Sequence, residues 1–255
     1  MRMAKLLNQG NSKTIKGEKY GYKTYGLHFS PANKSGFNVC KWSTAGCRAA
    51  CLDTAGRGCM SNVQASRIKK TISFFTDRVN FMNQIEKEII AAIKSAGKKN
   101  LIPVFRFNLT SDLPWESIKH PSGKTLMEMF PQVTFYDYTK GLDRMKTFLE
   151  ANTPVLSWGG SLIRSRAETF PRNYHLTFSR SEETPDSVVK DVLMSDGNVA
   201  VVFRGQLPRT FLGYQVVDGD DSDLRFLDGK GMVVGLVEKG LAKQDETGFV
   251  VEPKK

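Results

Sequence analysis

The longest amphipathic pattern in the chain lies between residues 61 and 96. Eight apolar residues recur there at steps of three or four, namely Ile68, Ile72, Phe75, Val79, Met82, Ile85, Ile89 and Ile93. This spacing places apolar side chains on one face of an α-helix. Gly97 follows the pattern, and glycine is a common helix stop. We therefore predict one long helix over 61–96.

Short apolar runs elsewhere in the chain predict β-strands. The eight candidates are 20–30, 101–108, 133–139, 154–158, 174–179, 198–204, 213–220 and 231–237. Helical patterns at 124–130, 143–151 and 186–194 separate several of them. Such alternation is typical of parallel β/α units. We predict a single α/β domain over 1–255, built as a full or partial (β/α) barrel, with a doubly wound open sheet as the alternative.

Charge is unevenly distributed along the chain of 255 residues. The formal net charge is +11, and residues 1–80 contain 14 Lys and Arg against 3 Asp and Glu, whereas 81–255 contain 23 of each class. A positive field attracts phosphate groups. We therefore expect a phosphate-bearing substrate, either a nucleotide or nucleic acid. The alternative is a basic surface that serves only solubility.

Membrane and export signals are not evident in the sequence. No apolar run approaches the roughly 18–20 residues that span a bilayer. The first residues, MRMAKLLNQGNSK, lack the apolar core of a signal peptide. We expect no membrane contact and a cytoplasmic location, where thiols stay reduced.

All four cysteines lie in the segment CKWSTAGCRAACLDTAGRGC, residues 40–59. Their C-x6-C-x3-C-x7-C spacing differs from the paired knuckles of structural zinc sites, and the reducing compartment disfavours disulfides. Several thiolates from one short loop are typical ligands of an iron–sulfur cluster. We expect Cys40, Cys47 and Cys51 to hold a [4Fe–4S] cluster with one open iron, unless Cys59 is a fourth ligand. We place this metal or cluster loop at residues 38–60. Zinc is the alternative metal.

Polar residues follow five of the predicted strands, and two of these groups supply the candidate site residues. After 101–108 these are Asn108, Thr110, Ser111 and Asp112, and after 174–179 they are Arg180 and Glu182. Active sites of α/β proteins lie at the carboxyl ends of strands. We expect Asp112 and Arg180 to be catalytic. The candidate cofactor-binding residues are Asn108, Thr110, Ser111 and Glu182. A helix cap is the alternative role for Ser111 or Asp112.

The order of a first strand, a three-cysteine loop, a long helix and further β/α units resembles that of radical S-adenosylmethionine enzymes. Their common motif is C-x3-C-x2-C, from which the spacing here departs. The resemblance implies S-adenosylmethionine at the open iron. It also implies that polar residues after the second strand hold the methionine amino group, and that Arg180 and Glu182 hold the ribose or the carboxylate.

A second resemblance rests on particular segments of the sequence. They are LHFSPANKSGFNVCKWSTAGCRAACLDTAGRG, RFNLTSDLPWE, FYDYTK and VVDGDDSDLRFLD. They resemble the phage gene product 88 family over residues 20–250. This resemblance implies a phage origin and a place in the host cytoplasm, and it implies no particular activity. In the family pattern Cys40, Cys47 and Cys51 match and Cys59 does not, which implies three ligands and an open iron.

Four cations in or beside the cysteine segment lie close to aromatic residues, and they are Lys34, Lys41, Arg48 and Arg57. Cations interleaved with aromatic rings hold single strands and flipped bases in many proteins, so we expect these four to contact nucleic acid. The sequence thus favours a radical S-adenosylmethionine-like iron–sulfur enzyme that acts on a nucleotide or nucleic acid. The alternative is a nucleic-acid-binding protein in which zinc or an iron–sulfur cluster is only structural.

Overall fold

A computed structural model describes residues 5–9, 12–152, 154–156, 162–164 and 170–253. Its strands are β1 Leu7–Asn8, β2 Tyr22–Leu27, β3 Ile102–Arg106, β4 Thr134–Thr139, β5 Pro154–Leu156, β6 Leu162–Arg164, β7 Tyr174–Ser179, β8 Val199–Phe203, β9 Thr210–Phe211, β10 Tyr214–Asp218, β11 Val233–Val237 and β12 Val250–Val251. Residues 157 and 158 of the predicted strand 154–158 lie outside the described residues.

The α-helices lie mainly between consecutive strands. They are α1 Ser12–Ile15, α2 Ala45–Ala49, α3 Ser61–Thr76, α4 Arg78–Gly97, α5 Leu126–Met129, α6 Leu142–Asn152 and α7 Asp186–Met194. Short 3-10 turns cover Lys16–Tyr20, Leu52–Thr54, Gly56–Cys59, Arg225–Leu227 and Gly240–Gln244. In the described part of the chain no helix is long and apolar enough to cross a membrane.

Ten of the described strands form one sheet, in the order β1-β2-β3-β4-β7-β8-β11-β10-β9, with β12 also paired to β8. Pairing is antiparallel only at the two edges, where β1 meets β2 and β9 meets β10. The prediction of a mixed α/β fold is confirmed. The sheet is open and is not a closed barrel, because β1 and β9 lie at opposite ends of the path and do not pair with each other.

The predicted helix over 61–96 is two helices, α3 and α4. Asp77 separates them with φ −138° and ψ 55°, which lie outside the helical region. Because this break shifts the phase of the helix, the single apolar stripe does not persist. Ile72 is 40% exposed and Val79 is 56% exposed, whereas Phe81 and Ile85 are buried. The prediction was therefore wrong at the junction and right for most of α4.

The helices and the 219–228 segment cover opposite faces of the sheet. The helical side contains the main hydrophobic core, in which Phe74 of α3 and Phe81 of α4 contact each other at 5.2 Å between ring centres. On the other side the 219–228 segment lies against β3 and β4. The Asp223 carboxylate there accepts hydrogen bonds from Arg106 Nη1 (2.8 Å) and Tyr136 Oη (3.2 Å). This segment closes one end of that face and leaves the carboxyl-terminal end of the strands available for a site.

The strand β12 lies beside β7 on the same edge of β8. β7 pairs with Val199 and Ala200 of β8, and β12 pairs with Val202 and Phe203 further along it. The short strand β12, which lies late in the chain, thus separates the carboxyl ends of β7 and β8. Polar side chains that follow β7 consequently face a loop and a cavity.

Candidate functional site

A cavity of about 260 Å³ lies at the carboxyl ends of the central parallel strands. We call it the cysteine cavity because Cys40, Cys47 and Cys51 line it together. Much of the remaining wall comes from the ends of β3, β4, β7, β8 and β11 and from the residues that follow them, and Lys13, Pro31 and Asp220 add to it. The topology therefore brings the predicted cysteine ligands to the end of the sheet where α/β proteins place their sites.

Cys40 is held against the segment that follows β3. Cys40 and Asp112 form an isolated parallel bridge, in which Asp112 N donates to Val39 O at 2.8 Å. The Cys40 Sγ accepts from Ala32 N at 3.4 Å and lies 3.9 Å from the carbonyl oxygen of Thr110. Burial raises the pKa of the Cys40 thiol to about 12. In the metal-free protein this thiol is therefore neutral at physiological pH.

Cys47 and Cys51 are positioned by the short helix α2. Thr44 caps this helix, since its side chain accepts from Cys47 N at 3.2 Å. The Glu182 carboxylate, which follows β7, accepts from Thr44 Oγ1 at 2.7 Å and from Gly46 N at 2.6 Å. Glu182, predicted to bind a cofactor, thus anchors the cysteine helix and does not line the cavity.

Burial raises the pKa of the Cys47 and Cys51 thiols as well. At Cys47 the nearby Lys140 ammonium opposes this rise, and the Glu182 carboxylate adds to it. The charge on Cys47 and the charge on Cys51 would also repel each other. Three neutral, mutually coupled thiols in one cavity can become thiolates together only when a cation is bound among them.

Cys59 is separate from the other three cysteines. Its side chain is exposed, and its Sγ lies 2.9 Å from Gly56 O, outside the cysteine cavity. Within the described residues no group of three or more His, Cys, Asp or Glu side chains is arranged so that it could hold a metal ion. All four thiols are free.

The four polar residues after β3 line the cavity, and most of their polar atoms are engaged within the protein. Ser111 Oγ donates to Asn108 Oδ1 at 2.7 Å, and Thr110 Oγ1 donates to Phe29 O at 2.6 Å. Asp112 accepts from Lys140 N (2.8 Å) and from Arg144 Nη1 (3.1 Å). The structure therefore brings these four residues together at the cavity, where their hydrogen bonds hold the wall in place.

A buried polar network extends from Asp112 away from the cavity. Arg144 binds Glu116 through Nε (2.7 Å) and Nη2 (2.8 Å), and Nη2 also donates to Tyr174 Oη at 2.7 Å. Tyr174 Oη in turn donates to Asp137 at 2.7 Å. Burial raises the pKa of Asp112, and it raises the pKa of Asp137 to about 7. One protonated carboxyl in this network would reduce the repulsion among its acids.

The four cations predicted to contact nucleic acid do not line the cavity. Lys34 binds the buried carboxylate of Asp53 at 2.8 Å, opposite Arg67. Arg48 Nη1 donates to Ser43 O at 2.6 Å, Lys41 lies over the Trp42 ring, and Arg57 is exposed. Lys34 therefore ties the loop to α3, and the other three surround the outside of the loop.

Arg180 also lies off the cavity wall. Its Nη1 donates to Gly248 O at 2.9 Å, directly before the segment that leads into β12. It therefore holds the carboxyl-terminal segment in place, and Phe249 of that segment lines the cavity. Arg180 and Glu182 both lie next to the cavity without lining it, so their predicted roles in catalysis and cofactor binding stay predictions.

The cations that do line the cavity are Lys13, Arg106, Lys140 and Lys239. The sequence placed Arg106 and Lys140 at strand ends without assigning them a role, and it gave no indication for Lys13 or Lys239. Three of them lie outside the basic first 80 residues. Tyr138 and Lys140 alternate at the end of β4, so both side chains are on the cavity face of the strand. That alternation was available in the sequence, but segment-wide charge counts concealed it.

A family model described as Gene product 88 matches residues 5–253. The chain belongs to the Gene product 88 family. The match confirms the phage family, which the sequence segments had indicated, over nearly the whole chain. No curated protein and no solved structure matches the chain. The resemblance to radical S-adenosylmethionine enzymes has no support from these comparisons, and the chemistry of this Gene product 88 protein has to be argued from its own cavity.

Proposed function

We propose that the protein is an iron–sulfur enzyme in which Cys40, Cys47 and Cys51 hold a [4Fe–4S] cluster. In this proposal S-adenosylmethionine binds at the open iron, and the substrate is a nucleotide or a nucleic-acid base. The observation that carries the proposal is the placement of three thiols from one loop on one cavity, with Cys59 outside it. A purely structural disulfide or buried-thiol role would not require a shared cavity.

The three thiols of the cavity are proposed to hold a cluster and not a single ion. Tetrahedral zinc needs its thiolates within about 2.3 Å of one point, whereas a cluster distributes its thiolate ligands over several iron atoms. Because no group among the described residues is arranged to hold a metal ion, the thiols would have to move into ligand positions as the cluster binds. The cations on the wall, above all Lys140 close to Cys47, would offset the negative charge of three thiolates.

When bound, such a cluster supplies a one-electron reductant and an iron with a free coordination position. The chain itself binds, orients and shields the reactants. Leu236 and Phe249 give the cavity an apolar wall that excludes water. Asn108, Thr110 and Ser111 are proposed to contact the cofactor. Asp112, buried with a raised pKa, is proposed as the catalytic acid or base.

Two of the original assignments become positioning roles in this proposal. Glu182 fixes the helix that carries Cys47, and Arg180 fixes the segment that carries Phe249. Neither has to touch the cofactor. Changing either one would misplace a wall of the cavity by a small distance, which is enough to impair a site that needs sub-ångström positioning.

The strand order favours a partial barrel for the finer description of the fold. The strands β2, β3, β4, β7 and β8 follow one another in space as they do in sequence, whereas beyond β8 the order becomes β11-β10-β9. With right-handed crossovers, a sequential order of parallel strands places all connecting helices on one face, whereas a doubly wound sheet reverses its order part-way. The cavity residues at the strand ends then surround one opening.

The second candidate function is nucleic-acid binding with a structural metal. It is favoured by the exposed cations Lys41, Arg48 and Arg57 beside the exposed apolar side chains of Leu52 and Met60. The salt dependence of binding tests it, because each phosphate contact contributes about −0.9 to the slope of log affinity against log salt. A steep slope that is lost in the Arg48→Gln/Arg57→Gln variant, without any cofactor turnover, would favour this alternative.

The proposed enzyme is tested by reconstituting the cluster without oxygen and adding a reductant with S-adenosylmethionine. We expect S-adenosylmethionine to change the electron paramagnetic resonance spectrum of the reduced cluster and to be cleaved. Cys59→Ser should retain both effects and Cys47→Ser should lose both. If S-adenosylmethionine left the spectrum of the reconstituted cluster unchanged, that result would contradict the proposed cofactor.

A further inference from the structure

Lys140 has an unusual electrostatic environment for a cation on a cavity wall. Its Nζ donates to Ser179 Oγ at 2.6 Å and lies 3.4 Å and 3.3 Å from the carbonyl oxygens of Ser179 and Arg180. These acceptors are all neutral. In the described part of the chain Lys140 forms no ion pair with a carboxylate, unlike Lys239, which binds Asp220 at 2.6 Å. Among the described residues its charge is therefore balanced at longer range by the Asp112 and Glu182 carboxylates, and not by a direct ion pair.

A second, independent feature lies two residues earlier on the same face of β4. The Tyr138 hydroxyl is buried and has no hydrogen-bond partner among the residues that the structure describes. Beside it on β3, the Arg106 guanidinium stacks 4.5 Å from the centre of the Tyr138 ring. Arg106 Nε makes no hydrogen bond within the described residues, but it lies 4.0 Å from the Asp137 carboxylate. An unsatisfied buried donor costs about 1–3 kcal/mol, so a ligand that supplied an acceptor to the Tyr138 hydroxyl would recover that free energy.

The hydroxyl of Ser179 adds a donor between these groups. Its oxygen accepts from Lys140, so its proton remains available to a ligand in the cavity. Ser179, Lys140, Tyr138 and Arg106 all line the cavity. Ser179 and Tyr138 each offer a proton and Lys140 offers a positive charge, whereas the charge of Arg106 is already paired with Asp223. The natural complement of the first three groups is an oxyanion with several acceptor oxygens.

We propose that Lys140, Ser179 and Tyr138 form a phosphate-binding subsite of the cysteine cavity. It deepens the proposed function by placing the phosphate of the nucleotide substrate at the end of β4, and to that extent it rests on that proposal. A phosphate fits better than a carboxylate because lysine acts as a point charge toward phosphate, while planar bidentate pairing with a carboxylate is the preference of arginine. The exposed cations of the cysteine loop would then steer the rest of a longer substrate.

The test measures the binding of inorganic pyrophosphate and AMP to the reduced, metal-free protein. Calorimetry and tryptophan fluorescence give the affinities. Trp42 packs against Gly141, the residue after Lys140, and so reports on this wall. We expect Lys140→Gln to weaken pyrophosphate binding by about 10- to 100-fold. The matched control, Lys190→Gln, removes the same charge from an exposed position on α7 and should change affinity less than twofold.

Tyr138→Phe is a second variant that tests the subsite even if Lys140→Gln fails to fold. It removes only the unpartnered hydroxyl, so the melting temperature should stay the same or rise, while pyrophosphate binding weakens about 3- to 10-fold. Unchanged binding in both variants would overturn the subsite. Loss of S-adenosylmethionine binding in Lys140→Gln with pyrophosphate binding intact would also overturn it, since the anion recognised would then be the cofactor carboxylate.

The outcome is independent of the cluster. Pyrophosphate binding is measured without metal, so a protein that binds pyrophosphate but takes up no iron would retain the subsite and refute the iron–sulfur proposal. A protein that takes up iron but binds pyrophosphate no better than the Lys140→Gln variant would refute the subsite and leave the iron–sulfur proposal standing.

Discussion

The Glu182 carboxylate lies directly against Gly46, whose backbone N–H donates to it at 2.6 Å. A Cβ atom on residue 46 would overlap Thr247 Oγ1 and would lie 2.7 Å from the Glu182 carboxyl carbon, so a larger residue would displace both side chains. The cysteine helix is thereby fixed to the end of β7. The glycine of the motif and the acid 136 residues later form one structural unit.

Gly46→Ala should therefore destabilise the protein by about 1–3 kcal/mol, because the added methyl group displaces Glu182 and overpacks the contact. Chemical denaturation measures the free energy of unfolding. The matched control is Gly97→Ala, where a Cβ atom meets nothing within 4 Å at the end of α4. That change should be neutral or stabilising by up to about 1 kcal/mol. Equal effects of the two substitutions would contradict the contact.

Asp53→Asn should cost about 3–5 kcal/mol, because Asp53 is buried and its carboxylate is the ion-pair partner of the buried Arg67 side chain. Lys34 binds the same carboxylate from an exposed position, so Lys34→Gln should cost less than about 1 kcal/mol. Urea unfolding of both variants measures the difference. If Lys34→Gln cost as much as Asp53→Asn, the buried pair would not be the dominant contact.

Thiol reactivity should separate Cys59 from the other three cysteines. Cys59 is exposed, whereas burial raises the pKa of Cys40, Cys47 and Cys51. In reduced, metal-free protein at pH 8 we expect iodoacetamide to modify Cys59 at least about tenfold faster. Mass spectrometry of peptides measures each rate. Rapid labelling of Cys47 or Cys51 would mean that these thiols are not held in the cavity as described.

The buried Asp137 should make stability depend on pH. Burial raises its pKa from 3.8 to about 7, so the protonated form is favoured in the folded state. Its contribution to stability is present in full below pH 4 and is lost as the pH rises through 7. Asp137→Asn stays neutral at every pH. Relative to the native protein, this variant should therefore gain about 1–2 kcal/mol between pH 5 and pH 8.

Thermal or denaturant unfolding at several pH values measures that difference. The matched control is Asp191→Asn on α7, whose side chain is exposed and lies outside the network. Its stability difference from the native protein should not vary over the same range. A flat profile for Asp137→Asn would show that Asp137 is already ionised in the folded protein.

The sequence predicted the strands better than their arrangement. Alternation and apolar runs located the central strands, since a buried strand needs little more than a short apolar segment between turns. The order of β11 and β10 and the insertion of β12 beside β7 depend on contacts between distant segments, which no local pattern encodes. The break at Asp77 was concealed because the apolar steps continue across it.

The site was predicted in part for similar reasons. Clustered cysteines and polar strand ends carry a local signal, and both line the cavity. Lys140 lies at a strand end that the sequence also marks as polar, but its contact with Ser179, 39 residues away in sequence, could not be read from any local pattern. Lys34 was predicted to contact nucleic acid because it lies in a basic segment. That position did not reveal that Asp53 binds it.

The central claim is that three cysteines, and not four, hold a cluster. The most direct measurement is the iron and acid-labile sulfide content of protein purified without oxygen, compared with Cys59→Ser and Cys47→Ser. We expect about four irons and four sulfides per chain in the native protein and in Cys59→Ser, and a loss of both in Cys47→Ser. One zinc without sulfide, or an equal loss in Cys59→Ser, would contradict the claim.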